Sequence, residues 1–201
     1  MPKLEFFESK TNKNGEHKTH VYELDGLTIP SVTRVLKDTG LYSLSPFSTG
    51  AARGLIVHLI LEQLDNNVVD VEFIPQDILP YVEQYQKFKK ESGFKVNKTE
   101  QRICHEQLLV AGTLDRIGSL NDKEYVLEIK TGVLAPAAHI QVAAYWGILG
   151  DSSLKCAILH LKNYKYNLYV LKTKEILQSW NLFQAALSVW KFRNENNLLG
   201  D

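Results

Sequence analysis

Two apolar runs separated by a short polar loop constrain this chain more than any other feature. Leu108 to Ser119 and Tyr125 to Thr131 are rich in strand-forming residues, and Leu120-Asn121-Asp122-Lys123-Glu124 lies between them. The pattern predicts an antiparallel hairpin. Side chains alternate along a strand, so Glu128 and Lys130 share one face with Val126, while Leu127 and Ile129 take the other. If the chain turns around residues 121–123, Asp115 falls opposite Glu128 or one pair away. Two carboxylates and an ammonium then meet on a patch about 5–8 Å across.

Carboxylates that close repel each other unless positive charge lies between them. Lys130 alone can neutralise one. A divalent cation held by oxygen ligands satisfies both, because Mg²⁺ takes one or two carboxylates together with waters and substrate phosphate. The lysine is then free to orient a water or to stabilise charge on a phosphate. On spacing alone, an exposed hairpin with a cross-strand salt bridge worth about 0–1 kcal/mol reads the same residues equally well.

The ordered set Gly112-Thr113-x-Asp115, Glu128-x-Lys130-Thr131-Gly132 and Gln141-x-x-x-Tyr145 resembles the PD-(D/E)XK nuclease superfamily. The closer similarity is to its RecB-like branch, which includes phage-type exonucleases. Ile29-Pro30-Ser31-Val32-Thr33-Arg34 is similar to the opening of such exonucleases, so the resemblance spans roughly residues 29–170. It implies that Asp115 and Glu128 bind one or two Mg²⁺ or Mn²⁺ ions together with the backbone carbonyl of Ile129. It also implies that Lys130 assists the attacking water, that Gln141 helps position it, and that Tyr145 supports the site. A Gly-x-x-x-His helix in that branch brings its histidine to the metal, which here is Gly54 and His58. A supporting glutamate before the GTxD strand is implied as well. Glu100 is preferred for it, and Glu106 competes.

Elsewhere the residues speak for themselves. Apolar positions Leu55, Ile56, Leu59, Ile60 and Leu64 recur at helical spacing in a helix that Ser48 or Thr49 can cap and that runs to about Asn66. Glu62 follows His58 by four and can bond its imidazole or stay solvated. Arg53 on this helix is a candidate for a DNA phosphate. A second helix runs from about Ile78 to Ser92 with Gly93 as its stop. Lys87 and Lys90 near its end suit either the helix dipole or DNA. Asp25-Gly26 marks a short hairpin between His20–Glu23 and Leu27–Pro30, after a polar start in which residues 10–18 read as a flexible loop or a hairpin turn. Residues 41–47 form a connector containing Pro46. Late strands are expected at Leu154–Leu161 and Tyr164–Leu171, then a helix from Glu175 to about Asn196.

Composition sets outer bounds. The 201 residues suit one domain, with residues 1–30 as a small β appendage, 48–171 as the catalytic core and 175–196 as a closing helix. Cys104 and Cys156 are too few for an iron–sulfur cluster and have no CxxC spacing, unlike RecB-like relatives with four cysteines. No apolar run approaches the roughly 18 residues of a membrane span, and no apolar segment of secretory type opens the chain. The expectation is therefore a cytoplasmic protein, in a host cytoplasm if phage-encoded. Basic and acidic residues balance at 23 each, so any DNA contact must come from locally concentrated charge.

The expected fold is α/β, a restriction-endonuclease-like core with a mixed central sheet flanked by helices. The αβββαβ order within it is what the resemblance implies. The expected activity is metal-dependent hydrolysis of DNA, duplex or single-stranded, most simply as an exonuclease in recombination, repair or replication. The resemblance admits a recombination or single-strand-binding protein as partner. A catalytically inactive DNA-binding relative, an endonuclease and a structural α/β domain are the alternatives.

Overall fold

The computed structural model describes residues 3–8, 20–42, 50–68 and 74–199 of the chain. The expected loop at 10–18, most of the connector around Pro46 and the Ser48 or Thr49 cap lie outside these residues. The hairpin at the centre of the sequence is the centre of the fold. β5 (Val110–Leu120) and β6 (Lys123–Lys130) pair antiparallel from Leu120↔Lys123 to Arg116↔Leu127. The connecting loop is shorter than the five residues expected. Asn121 and Asp122 both take positive φ, 49° and 58°, which makes the two-residue turn whose twist matches the flanking strands.

Three more strands extend this pair. β4 (Lys95–His105) runs antiparallel along β5. On the far side, β6 leads through α4 (Ala137–Leu149) into β7 (Lys155–Lys162), parallel to it, and β8 (Lys165–Val170) folds back antiparallel. The sheet order is β4-β5-β6-β7-β8. A helical crossover is what a parallel neighbour requires.

Both faces of this sheet are covered, which explains why its central strands carry almost continuous apolar residues. On one face, Val126, Cys156 and Ile158 pack with α4, with α1 (Val32–Asp38) and with α5 (Thr173–Glu195). On the other, Leu127, Ile129, Ala157, Leu159 and Leu161 pack with α2 (Gly50–Asp65) and α3 (Leu79–Ser92). The α4–α5 contact is close because Gly147 lets the Trp180 indole lie against the helix; a Cβ there would stand 2.4 Å from the ring. α5 starts two residues before the expected Glu175, since that side chain reaches back to the Lys172 amide at 2.7 Å and caps the helix.

The N-terminal residues form a second, antiparallel sheet of β1 (Leu4–Glu8), β2 (His20–Leu24) and β3 (Leu27–Ile29). A β appendage over residues 1–30 was expected, but no strand was assigned at Leu4–Glu8, whose residues read as part of a polar start. Phe6 decides the matter by packing on Tyr22, with ring centroids 5.4 Å apart, under the Arg102 guanidinium at 4.0 Å. This sheet is fastened to β5: Ala111 N–H donates to the Pro30 carbonyl at 3.0 Å, and the Tyr22 and Thr113 hydroxyls are 2.8 Å apart. Among the described residues no helix is long and apolar enough to cross a membrane.

Candidate active site

The hairpin register carries Asp115 to Glu128. Pairing ends at Arg116↔Leu127, and one further step sets the two acids across from each other. There Asp115 itself replaces the backbone partner, its Oδ2 accepting the Ile129 N–H at 2.6 Å. Both side chains are buried, Asp115 at 7% exposure and Glu128 at 2%. Lys130, two residues beyond Glu128 on the same face, donates from Nζ to Glu128 Oε1 at 2.7 Å and to Gln141 Oε1 at 2.9 Å. Gln141 in turn donates from Nε2 to the Tyr145 hydroxyl at 3.0 Å, one turn along α4. Tyr145 fits because residue 112 is glycine, where a Cβ would come within 2.6 Å of its ring. The spacing of the three sequence fragments thus becomes one chain of contacts, Glu128–Lys130–Gln141–Tyr145.

From the other side α2 brings His58, whose Nδ1 lies 3.1 Å from Asp115 Oδ1. Space does not require a glycine at Gly54, since a Cβ there would meet Thr131 Oγ1 at an ordinary 3.4 Å. Glu62 is half-buried one turn after His58, close enough that its charge helps raise the pKa of Glu100. Glu100 arrives from β4 in a left-handed backbone conformation, φ 42°, at a position where the β4–β5 pairing skips from Thr99↔Arg116 to Gln101↔Leu114. His58, Glu100 and Asp115 can each offer a ligand atom with all three within 4.8 Å of one another. Glu106 is exposed in the turn after β4, away from this group.

The electrostatics follow from burying acids together. Burial and the charge of Asp115 push Glu128 up to about 7, against the pull of Lys130. Glu100 is raised to about 7 for the same two reasons. Burial works against the charged form of Asp115 too, but His58, Lys130 and the Ile129 N–H outweigh it and hold its pKa below the usual value. Burial would lower Lys130 and His58, yet the neighbouring carboxylates win and both pKa values rise. Glu128 Oε2 is buried with no hydrogen-bond partner among the described residues. An unpartnered buried carboxylate oxygen beside two more carboxylates and a histidine is a donor set for a cation that prefers oxygen. These residues fit a divalent metal ion.

The basic candidates lie elsewhere. Arg53 covers the Tyr81 ring at 5.4 Å, with its Nε buried and unpartnered. Lys87 and Lys90 are exposed on α3. They line a shallow groove with Glu83, Gln86 and Glu91, and Lys87 stands 3.9 Å from Glu91. None of the three joins the acidic cluster.

Sequence reading missed the groups behind the site. Arg116 is completely buried and donates from Nε to Asp65 Oδ2 at 2.7 Å. Its Nη1 donates to Glu100 Oε1 at 3.1 Å and to the Asp115 carbonyl at 2.6 Å. Asp65 also accepts from the Tyr85 hydroxyl and from Lys89 Nζ, each at 2.6 Å. The run Leu114-Asp115-Arg116-Ile117 was the available signal, since two charged residues inside an apolar strand must be partnered. His160 on β7, next to Lys130 in the parallel ladder, bonds the Gly132 carbonyl through Nε2 at 2.7 Å.

A five-stranded mixed sheet flanked by helices, with a small sheet at its N-terminal side, defines the class by fold. A solved structure of a candidate exonuclease from Eubacterium rectale shares that fold, with a TM-score of 0.55 at 10% identity over 86% of this chain and 83% of that one. An alkaline exonuclease from Laribacter hongkongensis superposes with a TM-score of 0.39 at 14% identity, covering 83% of this chain and 93% of its own. No family model matches the chain, and no curated protein matches it in sequence.

Proposed function

We propose that this chain is a metal-dependent deoxyribonuclease of the PD-(D/E)XK type, RecB-like in its motifs, folded as one nuclease domain. It would hydrolyse DNA phosphodiester bonds as an exonuclease in recombination, repair or replication. The observation that carries this reading is the donor group of His58, Glu100 and Asp115, beside which lie Lys130 and the buried Glu128, whose Oε2 has no partner among the described residues. The fold shared with the Eubacterium rectale protein, itself a candidate exonuclease, supports it.

His58, Asp115, Glu128 and the Ile129 carbonyl would hold Mg²⁺ or Mn²⁺, one or two ions, with Glu100 and Glu62 in support. The ion would supply positive charge at the scissile phosphate and acidify the attacking water. Lys130 stays protonated among its carboxylates, so its part is to orient that water by hydrogen bonding and to stabilise the charge that builds on the phosphate oxygens. Gln141 holds the lysine and offers its amide to the water or a phosphate oxygen, and Tyr145 fixes the amide. Arg53, Lys87 and Lys90 would contact the DNA backbone farther from the reacting bond.

The test is incubation of 5′- and 3′-labelled linear duplex, single-stranded and closed circular DNA with Mg²⁺, Mn²⁺ or EDTA, with Lys130→Ala alongside. Metal-dependent loss of linear DNA only, absent in the variant, supports the exonuclease, and the labels give its polarity. Nicking of circles changes the assignment to an endonuclease. No cleavage under any condition refutes turnover and leaves DNA binding by an inactive relative to be measured.

A further inference from the structure

Backbone pairing between β4 and β5 lapses at two places, at a register shift between Val96 and Lys98 and again between Thr99 and Gln101, and the Arg116 side chain reaches into the second. Thr99↔Arg116 and Gln101↔Leu114 are paired, but Glu100 and Asp115 between them are not. Glu100 adopts φ 42°, a region that non-glycine residues enter at a cost. Alternation slips at the same point: Leu114 and Ile117, three residues apart, both pack on the α4 side, whereas Arg116 reaches Asp65 and the α2–α3 side. The Arg116 guanidinium bridges the gap, because Nη1 donates both to the Asp115 carbonyl and to the Glu100 carboxylate. A buried arginine needs a counter-charge. Asp65 supplies it, with its side chain 1% exposed.

We propose that Arg116, anchored by Asp65, is the positioning residue that holds Glu100 in its strained conformation and so delivers its carboxylate to the metal cluster. The inference rests on the metal reading above. It assigns a role to two side chains outside the group that could hold the ion. Guanidinium geometry is essential to it: Nε takes the anchor while Nη1 takes the two β-strand groups, and a lysine's point charge cannot span all three. Asp65 keeps the buried charge compensated from outside the cluster, so that Glu100 is oriented without being its only counter-ion. Tyr85 and Lys89 brace Asp65 from α3 through their own hydrogen bonds to its carboxylate.

The experiment is Mn²⁺ titration by calorimetry on the full chain, with denaturation measured for each variant. Arg116→Lys should weaken Mn²⁺ about 10- to 100-fold, the usual effect of losing an outer partner of a metal ligand. Asp65→Asn should act in the same direction and serves if Arg116→Lys does not fold. Glu100→Gln should weaken Mn²⁺ at least as much as Arg116→Lys. Tyr85→Phe should lower stability while leaving Mn²⁺ affinity within about threefold. If affinity instead falls in step with stability across all variants, Tyr85→Phe included, the network is structural only and the proposal is overturned. An unchanged affinity in Glu100→Gln overturns it too, since Arg116 could not then act through Glu100. Absence of Mn²⁺ uptake by the unaltered protein would refute the metal reading itself, which separates the two failures.

Discussion

Arg116 stands between two buried acidic centres that are balanced in opposite ways. Asp65 accepts from Arg116, Lys89 and Tyr85, so every oxygen of its carboxylate is partnered and two cations face one anion. Nearby, Asp115, Glu128 and Glu100 have Lys130 and His58 beside them and only a share of Arg116, and one Glu128 oxygen has no partner among the described residues. In the first centre the carboxylate is fully compensated, and only Arg116 Nη2 is left buried without a partner among the described residues. The second is short of positive charge, and its acids show it, since burial and mutual repulsion push both Glu100 and Glu128 up to about 7. A protein keeps such a deficit where something else supplies the charge.

Removing a carboxylate should therefore have opposite consequences in the two centres. Asp65→Ala leaves a buried arginine with only the partly exposed Glu100 as counter-ion and should cost about 3–5 kcal/mol in urea denaturation. Glu128→Gln in the metal-free protein removes repulsion and should leave stability at pH 8 unchanged or raised. Equal losses in both variants would break the contrast.

Catalysis should show the reverse dependence. Lys130→Ala should cut DNA cleavage by about 10²–10³ or more while DNA affinity, followed by gel shift, stays nearly constant. Retained cleavage would remove Lys130 from the reaction.

The contrast also has a pH signature. Glu100 and Glu128 bind protons more tightly folded than unfolded, and His58 does likewise. A raised folded pKa gives stability that is present below the unfolded value and lost as pH rises through the folded one. In EDTA, stability should thus fall as pH rises from 5 to 8. Mn²⁺ should restore it most at the alkaline end. A flat profile in EDTA would contradict the crowding of these acids.

The smallest effect belongs to Tyr145→Phe, which removes the hydroxyl that accepts from Gln141. One lost hydrogen bond is worth about 1 kcal/mol, so the turnover number should drop up to about tenfold with little change in KM.

Much of the contact chain in this site could be read from local pattern. Alternation in β6 put Glu128 and Lys130 on one face, the short turn put Asp115 across from them, and helical spacing aligned Gln141 with Tyr145. Those are relations within a strand, a hairpin or a helix turn. The second centre joins residues far apart in sequence, with Asp65 and Arg116 separated by 51 positions. No periodicity links such pairs; they meet only when α2, α3 and β5 pack. Glu100 was placed by resemblance, whereas what delivers it is a local break in the strand geometry that regular alternation could not anticipate. β1 was hidden for a similar reason, since its fate depends on Tyr22 and Arg102 from other strands.

The most direct test of a cation-deficient centre is calorimetric titration of Mn²⁺ into the unaltered protein and into Asp115→Asn at pH 8. Saturable uptake by the first and none by the second is the predicted result. Equal uptake by both, or none by either, would contradict the account.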